Sequence, residues 1–174
     1  MIKVLTTSRR LSKLLFLTMV LLVCAGVSNA QPVLPQRTLT VMPTQAIHFG
    51  TFIVGNSGGT VIVGSDGSRT KTGDIILLSM APSAQPAIFE IKLCQGRNVN
   101  VSIVPSITLA GSNGGPSLTL DLGPTEKGEI GVPFPTNADC NFITPLRVGG
   151  TLHVPGSAIP GTFTGSFSIT FNQE

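Results

Sequence analysis

The sequence predicts an all-β fold, an antiparallel β-sandwich of about nine to ten short strands. Three observations indicate this class. The chain ends in a stretch, Thr162–Asn172, that alternates polar residues with apolar residues or Gly. Val, Ile, Thr and Phe, which favour strands, recur between turns rich in the 20 Gly and 13 Pro. No window carries apolar residues at helical spacing over three turns.

The final stretch is the clearest strand. Its even positions, from Thr162 to Asn172, are small and polar, which is typical of a solvated face. Its odd positions predict a buried face, formed by Phe163, Gly165, Phe167, Ile169 and Phe171. One sheet cannot bury so many one-sided strands, so two sheets must pack face to face. The eight Phe that follow the N-terminal segment would give this sandwich a sizeable core.

Shorter runs predict the strands of the first half. A strand over 38–42 meets Pro43, which suits a sheet edge because proline cannot donate a ladder hydrogen bond. Asp66-Gly67 lies between two β-prone runs and is a hairpin signal. Residues 74–79 are almost continuously apolar and predict a central strand. The other predicted strands before residue 80 are 46–52 and 60–63.

The second half carries clearer alternation. Residues 87–94 and 98–104 alternate on either side of a short turn that contains Gly, and together they predict a hairpin. Residues 123–140 are irregular and are expected to cross from one sheet to the other. The remaining predicted strands are 107–109, 118–122 and 146–154.

The first thirty residues have the pattern of a secretory signal peptide, with cleavage between Ala30 and Gln31. Positive charges precede a short apolar run, and small residues precede the cut. The alternative, a membrane anchor, needs about 20 apolar residues, more than this run has. Arg9-Arg10 suggests a twin-arginine signal and Cys24 a lipidation site, but the residues beside them fit those signals poorly. Export by the general secretory route is expected, to the periplasm, cell surface or extracellular space.

Removal of that segment changes the charge of the chain. Four of the 11 Lys and Arg precede the cut, whereas all 8 Asp and Glu follow it, so the mature chain carries a net charge of −1. This balance gives no electrostatic case for a nucleic acid or an anionic membrane as partner, and no stable membrane span is expected. The chain then divides into a signal peptide at 1–30, a flexible lead-in at 31–37 and a single β-sandwich domain at 38–174.

Two cysteines remain after the cut, Cys94 and Cys140. An even number of cysteines in an exported chain predicts one disulfide. The bond would close a loop of about 47 residues and would stabilise the fold by roughly 4 kcal/mol on the chain-entropy model. The alternative is two free thiols. A catalytic thiol is disfavoured because no helix N-terminus or basic pocket is evident that would lower its pKa.

The chain shows no catalytic, cofactor or metal motif, and neither an enzyme nor a bound cofactor is expected. His48 and His153 lie at outward positions of separate strands, and no His or Cys spacing fits a zinc site. No phosphate loop, dinucleotide fingerprint or nucleophile elbow occurs. The Gly pairs 58–59 and 149–150 fit bulges or close backbone approaches better than a ligand site.

Two acidic groupings leave alternatives open. A loop over 64–74 makes a loose calcium site conceivable, although its spacing matches no EF-hand and a plain turn is favoured. The oxygen ligands there would come from Asp66, Ser68 and Asp74. A second neighbourhood around a Gly-Pro turn contains Asp121, Glu126 and Glu129. Glycoside cleavage needs carboxylates at a fixed separation across a cleft, so surface charge is the default interpretation and a hydrolase the least favoured function.

Four motifs occur in one order along the chain. They are IHFGTF at 47–52, GGTVIV at 58–63, VGGTLHV at 148–154 and GTFTGSF at 161–167. With the signal peptide before them and an aromatic strand after them, they resemble a family of exported bacterial proteins classed as domain of unknown function 4402. The resemblance covers nearly all of the mature chain.

The resemblance implies an immunoglobulin-like or pilin-like sandwich, distantly similar to subunits that a chaperone and an usher assemble. In such subunits an N-terminal extension fills a groove of the neighbouring subunit by donating a strand. This chain differs in having Pro32 and Pro35 in a short lead-in, and its last aromatic, Phe171, lies three residues from the end. The family has no catalytic residues to carry over.

The expected function is therefore that of a secreted non-enzymatic β-sandwich, a cell-surface or fimbria-like structural or adhesion subunit. Its partners would be itself or other pilin-like subunits, joined by strand addition. The alternative is a free-standing secreted module that binds a ligand such as a glycan through loops at one end of the sandwich. The absence of Trp and Tyr, which usually stack on sugars, weighs against that alternative.

Overall fold

The computed structural model describes residues 38–93, 96–139 and 141–174. Over these residues the chain forms eleven strands and no helix, and every ladder is antiparallel. The predicted all-β antiparallel sandwich is confirmed, with eleven strands in place of nine to ten. The predicted signal peptide, its cut between Ala30 and Gln31, and the lead-in at 31–37 lie outside the described residues.

The strands form two sheets. In chain order they are β1 (Thr40–Gln45), β2 (Phe52–Val63), β3 (Arg69–Leu77), β4 (Ala87–Lys92), β5 (Asn98–Ile103), β6 (Ser106–Gly111), β7 (Leu118–Thr125), β8 (Phe134–Pro135), β9 (Thr144–Val154), β10 (Phe163–Thr164) and β11 (Ile169–Gln173). Sheet 1 has the order β1-β4-β9-β7-β6-β10, and β2 joins it beside β9 with β3 beyond. Sheet 2 has the order β11-β5-β8.

Strand β9 is the centre of sheet 1. Along one edge it pairs first with β4, as far as Val148, and then with β2, from Gly150 onward, while β7 takes the other edge. The change of partner falls at Gly149, where a side chain would place its Cβ 2.5 Å from the Val63 carbonyl oxygen. Glycine is required there because the end of β2 approaches the β9 backbone so closely.

Two apolar clusters fill the interior. The hairpin core consists of Phe49, Val61, Val63, Ile75, Leu109, Leu118, Leu120, Leu122, Leu152 and Val154. The terminal core lies between β4 and β9 of sheet 1 and β5 and β8 of sheet 2. It consists of Ala87, Phe89, Ile91, Leu93, Val99, Val101, Phe134, Leu146 and Val148. Strand β9 contributes to both, with its first half in the terminal core and its second half in the hairpin core.

The β2–β3 hairpin is sharply bent. Four residues of β2, 55–58, lie opposite the single Asp74 of β3, and a bulge of this kind bends both strands. Arg69, near the tip, donates hydrogen bonds to the carbonyl oxygens of Leu78 (3.1 Å) and Thr51 (2.8 Å) at the base. A straight nine-residue strand would separate tip and base by about 30 Å. The hairpin therefore folds back over its own core.

Three predicted pairings differ from the structure. Residues 74–79 were expected to be central, but β3 pairs only with β2 and is an edge strand. The expected hairpin of 87–94 with 98–104 does not form, because β4 belongs to sheet 1 and β5 to sheet 2. The single final strand is divided, since β10 pairs with β6 in sheet 1 whereas β11 pairs with β5 in sheet 2. Alternation shows which face is buried, but it does not show which strand lies alongside.

The expected burial of the phenylalanines is correct only in part. Phe49, Phe89 and Phe134 are buried, whereas Phe142 is 59% exposed. The odd positions of the final stretch do face inward, but Phe163, Phe167 and Phe171 are only half-buried. The interior near the C-terminus is thus incompletely covered by the described residues.

Candidate functional site

Strand β11 lies at the edge of sheet 2 and has no second partner strand among the described residues. Just beyond it, the Glu174 N–H donates to the carbonyl oxygen of Asn98 at 3.0 Å. Alternate residues of an antiparallel strand direct their backbone groups to the same side, so even-numbered residues of β11 face β5. The N–H and C=O groups that point outward belong to Ile169, Phe171 and Gln173. These groups are called the β11 edge.

The side chains of the same strand lie over the terminal core without closing it. Ile169 and Phe171 are half-buried, whereas Ile91 in the centre of that core is 0% exposed. Phe89 contacts the rings of Phe171 and Phe167, with centroids 5.7 and 6.3 Å away. The aromatic contacts pack the C-terminal stretch against β4, and Phe167 and Phe171 remain half-buried there.

Strand β1 borders the same region from the opposite sheet. It pairs only with β4, and in the described part of the chain no ladder joins it to β11. Leu39 and Val41 pack on the terminal core and are also half-buried. A cavity of about 380 Å³, the edge groove, lies between residues 43–46 and residues 165–167, with Ala87 and Phe89 of β4 also in its lining.

Polar side chains of β1 that line the edge groove already have partners. Gln45 Nε2 donates to the Pro86 carbonyl oxygen at 2.8 Å, and Thr44 Oγ1 donates to that of Ile88 at 3.3 Å. These side chains bond to carbonyl groups at the start of β4, at the point where a bulge after Pro43 shifts the register of the β1 ladder. A partly apolar surface and an unpaired backbone edge are suited to recognising a strand.

Five described strands have a single partner, and four of them carry features that discourage further pairing. β1 contains Pro43 and a bulge, and β3 contains Arg69, Lys71 and Asp74. β8 and β10 are two residues long. β11 has five residues with no charge, no Pro and no bulge. Natural edge strands are normally protected by such devices, so β11 is the least protected edge of the described sheets.

The predicted surface histidines lie where expected, and His153 has an acidic partner. Its Nε2 is 2.7 Å from Asp121 Oδ2, on the outer face of sheet 1, and both side chains are about half exposed. Hydrogen bonds from His153 and Ser106 hold the pKa of Asp121 below its usual range. Because Ser106 bonds to the carboxylate and not to the imidazole, the three residues lack the order of a catalytic triad. His48 forms an isolated bridge with Gln85.

Glu126 and Asp66 each have a partner of their own, and neither bonds to another carboxylate. Glu126 pairs with Arg147 at 2.6 Å and not with Asp121, so the predicted acidic neighbourhood does not form a carboxylate pair. Asp66 accepts hydrogen bonds from Ser68, which lower its pKa, and this closes the β2–β3 turn. Asp74 lies instead against Gly55 in the hairpin bulge. Over residues 38–93, 96–139 and 141–174, no group of three or more His, Cys, Asp or Glu could hold a metal ion.

Two further predictions concern the cysteines and a membrane span. Cys94 and Cys140 lie outside it, so their pairing stays a prediction. Within the described ranges no helix has the length and apolar character needed to cross a membrane.

Sequence reasoning missed both the unprotected edge and the role of Arg69. A signal for the edge was present, since 163–173 contains no charged residue whereas 69–74 contains three. The role of Arg69 had no local signal, because its acceptors at Thr51 and Leu78 become neighbours only when the hairpin bends. Burial lowers the pKa of this guanidinium.

Comparison with known proteins gives one match. A family described as Domain of unknown function (DUF4402) matches residues 39–172, which includes all eleven strands up to the penultimate residue of β11. No curated protein and no solved structure matches the chain. Since the match covers more than half of the 174 residues, this chain belongs to the DUF4402 family.

Proposed function

We propose that this chain is an exported, non-enzymatic structural subunit of the cell surface, fimbria-like in its assembly, which accepts a β-strand from another subunit. The observation that carries the proposal is the unprotected β11 edge beside a rim of half-buried apolar side chains at the terminal core. Edges of this kind are the usual docking points for an added strand.

Backbone groups supply the first part of the recognition. A strand laid beside β11 would pair with the outward N–H and C=O groups of Ile169, Phe171 and Gln173. Such pairing is nearly independent of the added sequence, because it uses main-chain groups only. It suits a subunit that must bind the same partner repeatedly.

Apolar contacts supply the second part. The inward side chains of an added strand would cover Ile169 and Phe171 on one side and Leu39 and Val41 on the other. Covering half-exposed apolar side chains stabilises association by about 25 cal/mol per Å² of apolar surface removed from water. The edge groove offers room for one of those side chains.

Export and a disulfide fit the same proposal. A Cβ at Gly96 would lie 3.5 Å from Ala138, and Thr136 donates to the carbonyl oxygen of Arg97. These contacts hold residues 96–97 beside residues 136–138, two described segments that lie near the predicted cysteine pair in sequence. We include a Cys94–Cys140 bond in the proposal, formed when the thiol oxidant of the export compartment removes two electrons and two protons.

The test is the assembly state of the mature chain, residues 31–174, by sedimentation over a range of concentrations. We expect oligomers that Gln173→Pro abolishes. The Gln173 N–H points away from β5, so this proline removes no internal ladder bond but blocks an added strand. The matched control is Lys71→Pro on β3, whose N–H also points away from its ladder partner, on the edge that is already protected. A chain that stays monomeric at all concentrations, or oligomers unchanged by Gln173→Pro, would count against the proposal.

One observation favours the alternative of a ligand-binding module. The edge groove, at about 380 Å³, lies within the range of small-ligand pockets. A glycan array with the monomeric Gln173→Pro chain tests it. A hit that Ser166→Phe removes, by placing a bulky ring at an exposed position of the groove lining, would favour a ligand over a strand as its occupant.

A further inference from the structure

We propose that the strand which completes the β11 edge is β11 of a second copy, running antiparallel about a twofold axis beside Phe171. This inference rests on the proposed function, because it requires the edge to accept a strand. It adds the identity of the partner and the register of pairing.

The lead-in of the chain is a poor occupant of this edge. Residues whose backbone faces β11 must be spaced by two along the added strand. Pro32 and Pro35 are separated by three, so one of them has its nitrogen toward β11 in either register. Proline there has no N–H to donate, which removes one of the few hydrogen bonds available.

β11 itself has no such defect. From Ile169 to Gln173 the strand has neither proline nor charge, so an antiparallel copy brings no like charges together. The strands with charged or proline-containing edges, β1 and β3, would oppose self-pairing. Of the edges described, β11 is the one that can pair with itself.

The register follows from the outward backbone groups. With the axis at Phe171, this residue faces its own copy and Ile169 faces Gln173, so all three pairs can exchange N–H···O=C bonds. On the inner face the two Phe171 rings meet and extend the apolar cover. On the outer face Thr170 lies opposite Asn172, which pairs two polar side chains. The terminal Glu174 falls opposite Ser168, away from its own copy.

The result is one continuous six-stranded sheet in the order β8-β5-β11-β11-β5-β8 across the two copies. A twofold contact is self-complementary and closed. Both β11 edges are consumed, so this contact stops at a dimer. The dimer is then the building unit, and any longer assembly must use another surface.

Cysteine cross-linking of the mature chain tests this register. In the proposed dimer Thr170 and Asn172 of different copies form a narrow pair with Cα atoms about 4.5 Å apart, within disulfide range. A mixture of Thr170→Cys and Asn172→Cys chains should cross-link on oxidation. Thr170→Cys alone should not, because its two copies lie on a diagonal of about 7–8 Å. The unsubstituted chain controls for Cys94 and Cys140.

The assembly state separates the inference from the proposed function. We expect dimers that Gln173→Pro weakens by at least about tenfold in dissociation constant. Two outcomes would overturn the self-pairing but not strand addition. One is a series of oligomers larger than the dimer that Gln173→Pro removes, and the other is a dimer in which the mixed cross-link does not form. Cross-linking of Thr170→Cys alone would overturn the register. Monomers at every concentration, or oligomers unaffected by Gln173→Pro, would overturn both.

Discussion

Strands β3 and β11 are both edge strands with a single partner, but their inward side chains end in different environments. Ile75 of β3 is 1% exposed, whereas Ile169 of β11, equally apolar and also on a strand with one partner, is only half-buried. Both strands direct these side chains toward a core. The difference lies in what covers them from the side.

The hairpin supplies its own cover. Its bulge turns the strands back over the hairpin core, and Arg69 bridges Thr51 and Leu78 to hold the fold-back. β11 follows a change of sheet after Thr164, and among the described residues no strand pairs with its outer edge. A strand edge is therefore protected by its neighbours as much as by its own sequence.

The largest expected effect concerns the predicted disulfide, which would link the segment between β4 and β5 to the segment between β8 and β9. The double variant Cys94→Ala with Cys140→Ala should lose roughly 4 kcal/mol of unfolding free energy, the chain-entropy value for this loop. Urea unfolding of the oxidised chain, the reduced chain and the variant measures it. Equal stability of all three, or two titratable thiols in the native oxidised chain, would contradict the bond.

A matched pair of substitutions then tests the comparison directly. Ile75→Ala should cost about 2–5 kcal/mol, because it leaves a cavity in a fully buried site. Ile169→Ala should cost about half as much in the monomeric Gln173→Pro background, because its side chain is already half solvated. Denaturant midpoints of both variants give the ratio. Equal losses would mean that β11 is covered as well as β3.

Removal of the Arg69 hydrogen bonds should loosen the fold-back of the β2–β3 hairpin, so that β3 becomes less well covered, as β11 is. Arg69→Met keeps the length of the side chain but takes the guanidinium donor from the Leu78 carbonyl and leaves the Thr51 carbonyl with the Leu78 N–H alone, at a cost of about 1–3 kcal/mol. Faster amide hydrogen exchange confined to β2 and β3 would locate the change. Arg69→Lys, with a point charge in place of the planar fork, serves as the control and should recover part of the loss.

The smallest expected effect is on acid stability. The pKa of Asp121 is lowered when folded, so its pairing with His153 stabilises above the ordinary carboxyl pKa and is lost as pH falls through the lower folded value. Asp121→Asn should therefore flatten the loss of stability below about pH 4, slightly, because the pair is exposed. Denaturant midpoints measured from pH 2 to 7 test this, and we expect the midpoints of the two chains to differ by roughly tenths of a molar unit of denaturant. A steeper acid limb in the variant would contradict this assignment.

The alternating pattern was sufficient for the fold class and for most strands. It placed β9 to within two residues and identified inward side chains of the final stretch such as Phe167 and Phe171, although that stretch is divided into β10 and β11. It could not assign partners, because β4 and β5 carry the same alternation yet lie in different sheets. A period of two describes the faces of a strand and contains no information about its edges.

The candidate site was less predictable for the same reason. The need for glycine at position 165 becomes clear only in the folded chain. A Cβ there would lie 2.5 Å from the side chain of Leu109, which is 56 positions away in the sequence. Catalytic and metal motifs are defined by side chains, whereas the edge that carries the proposed function consists of backbone groups. Comparing the charge content of neighbouring edge strands would have pointed to it.

The position of β9 in both cores has a consequence for how the molecule comes apart. A single strand that is hydrogen-bonded on both edges and buried on its inner face in two clusters cannot leave one of them intact while the other melts. Heat or denaturant should accordingly produce one sharp transition seen alike by every probe. The amide protons of β9 should be the last to exchange with deuterated water.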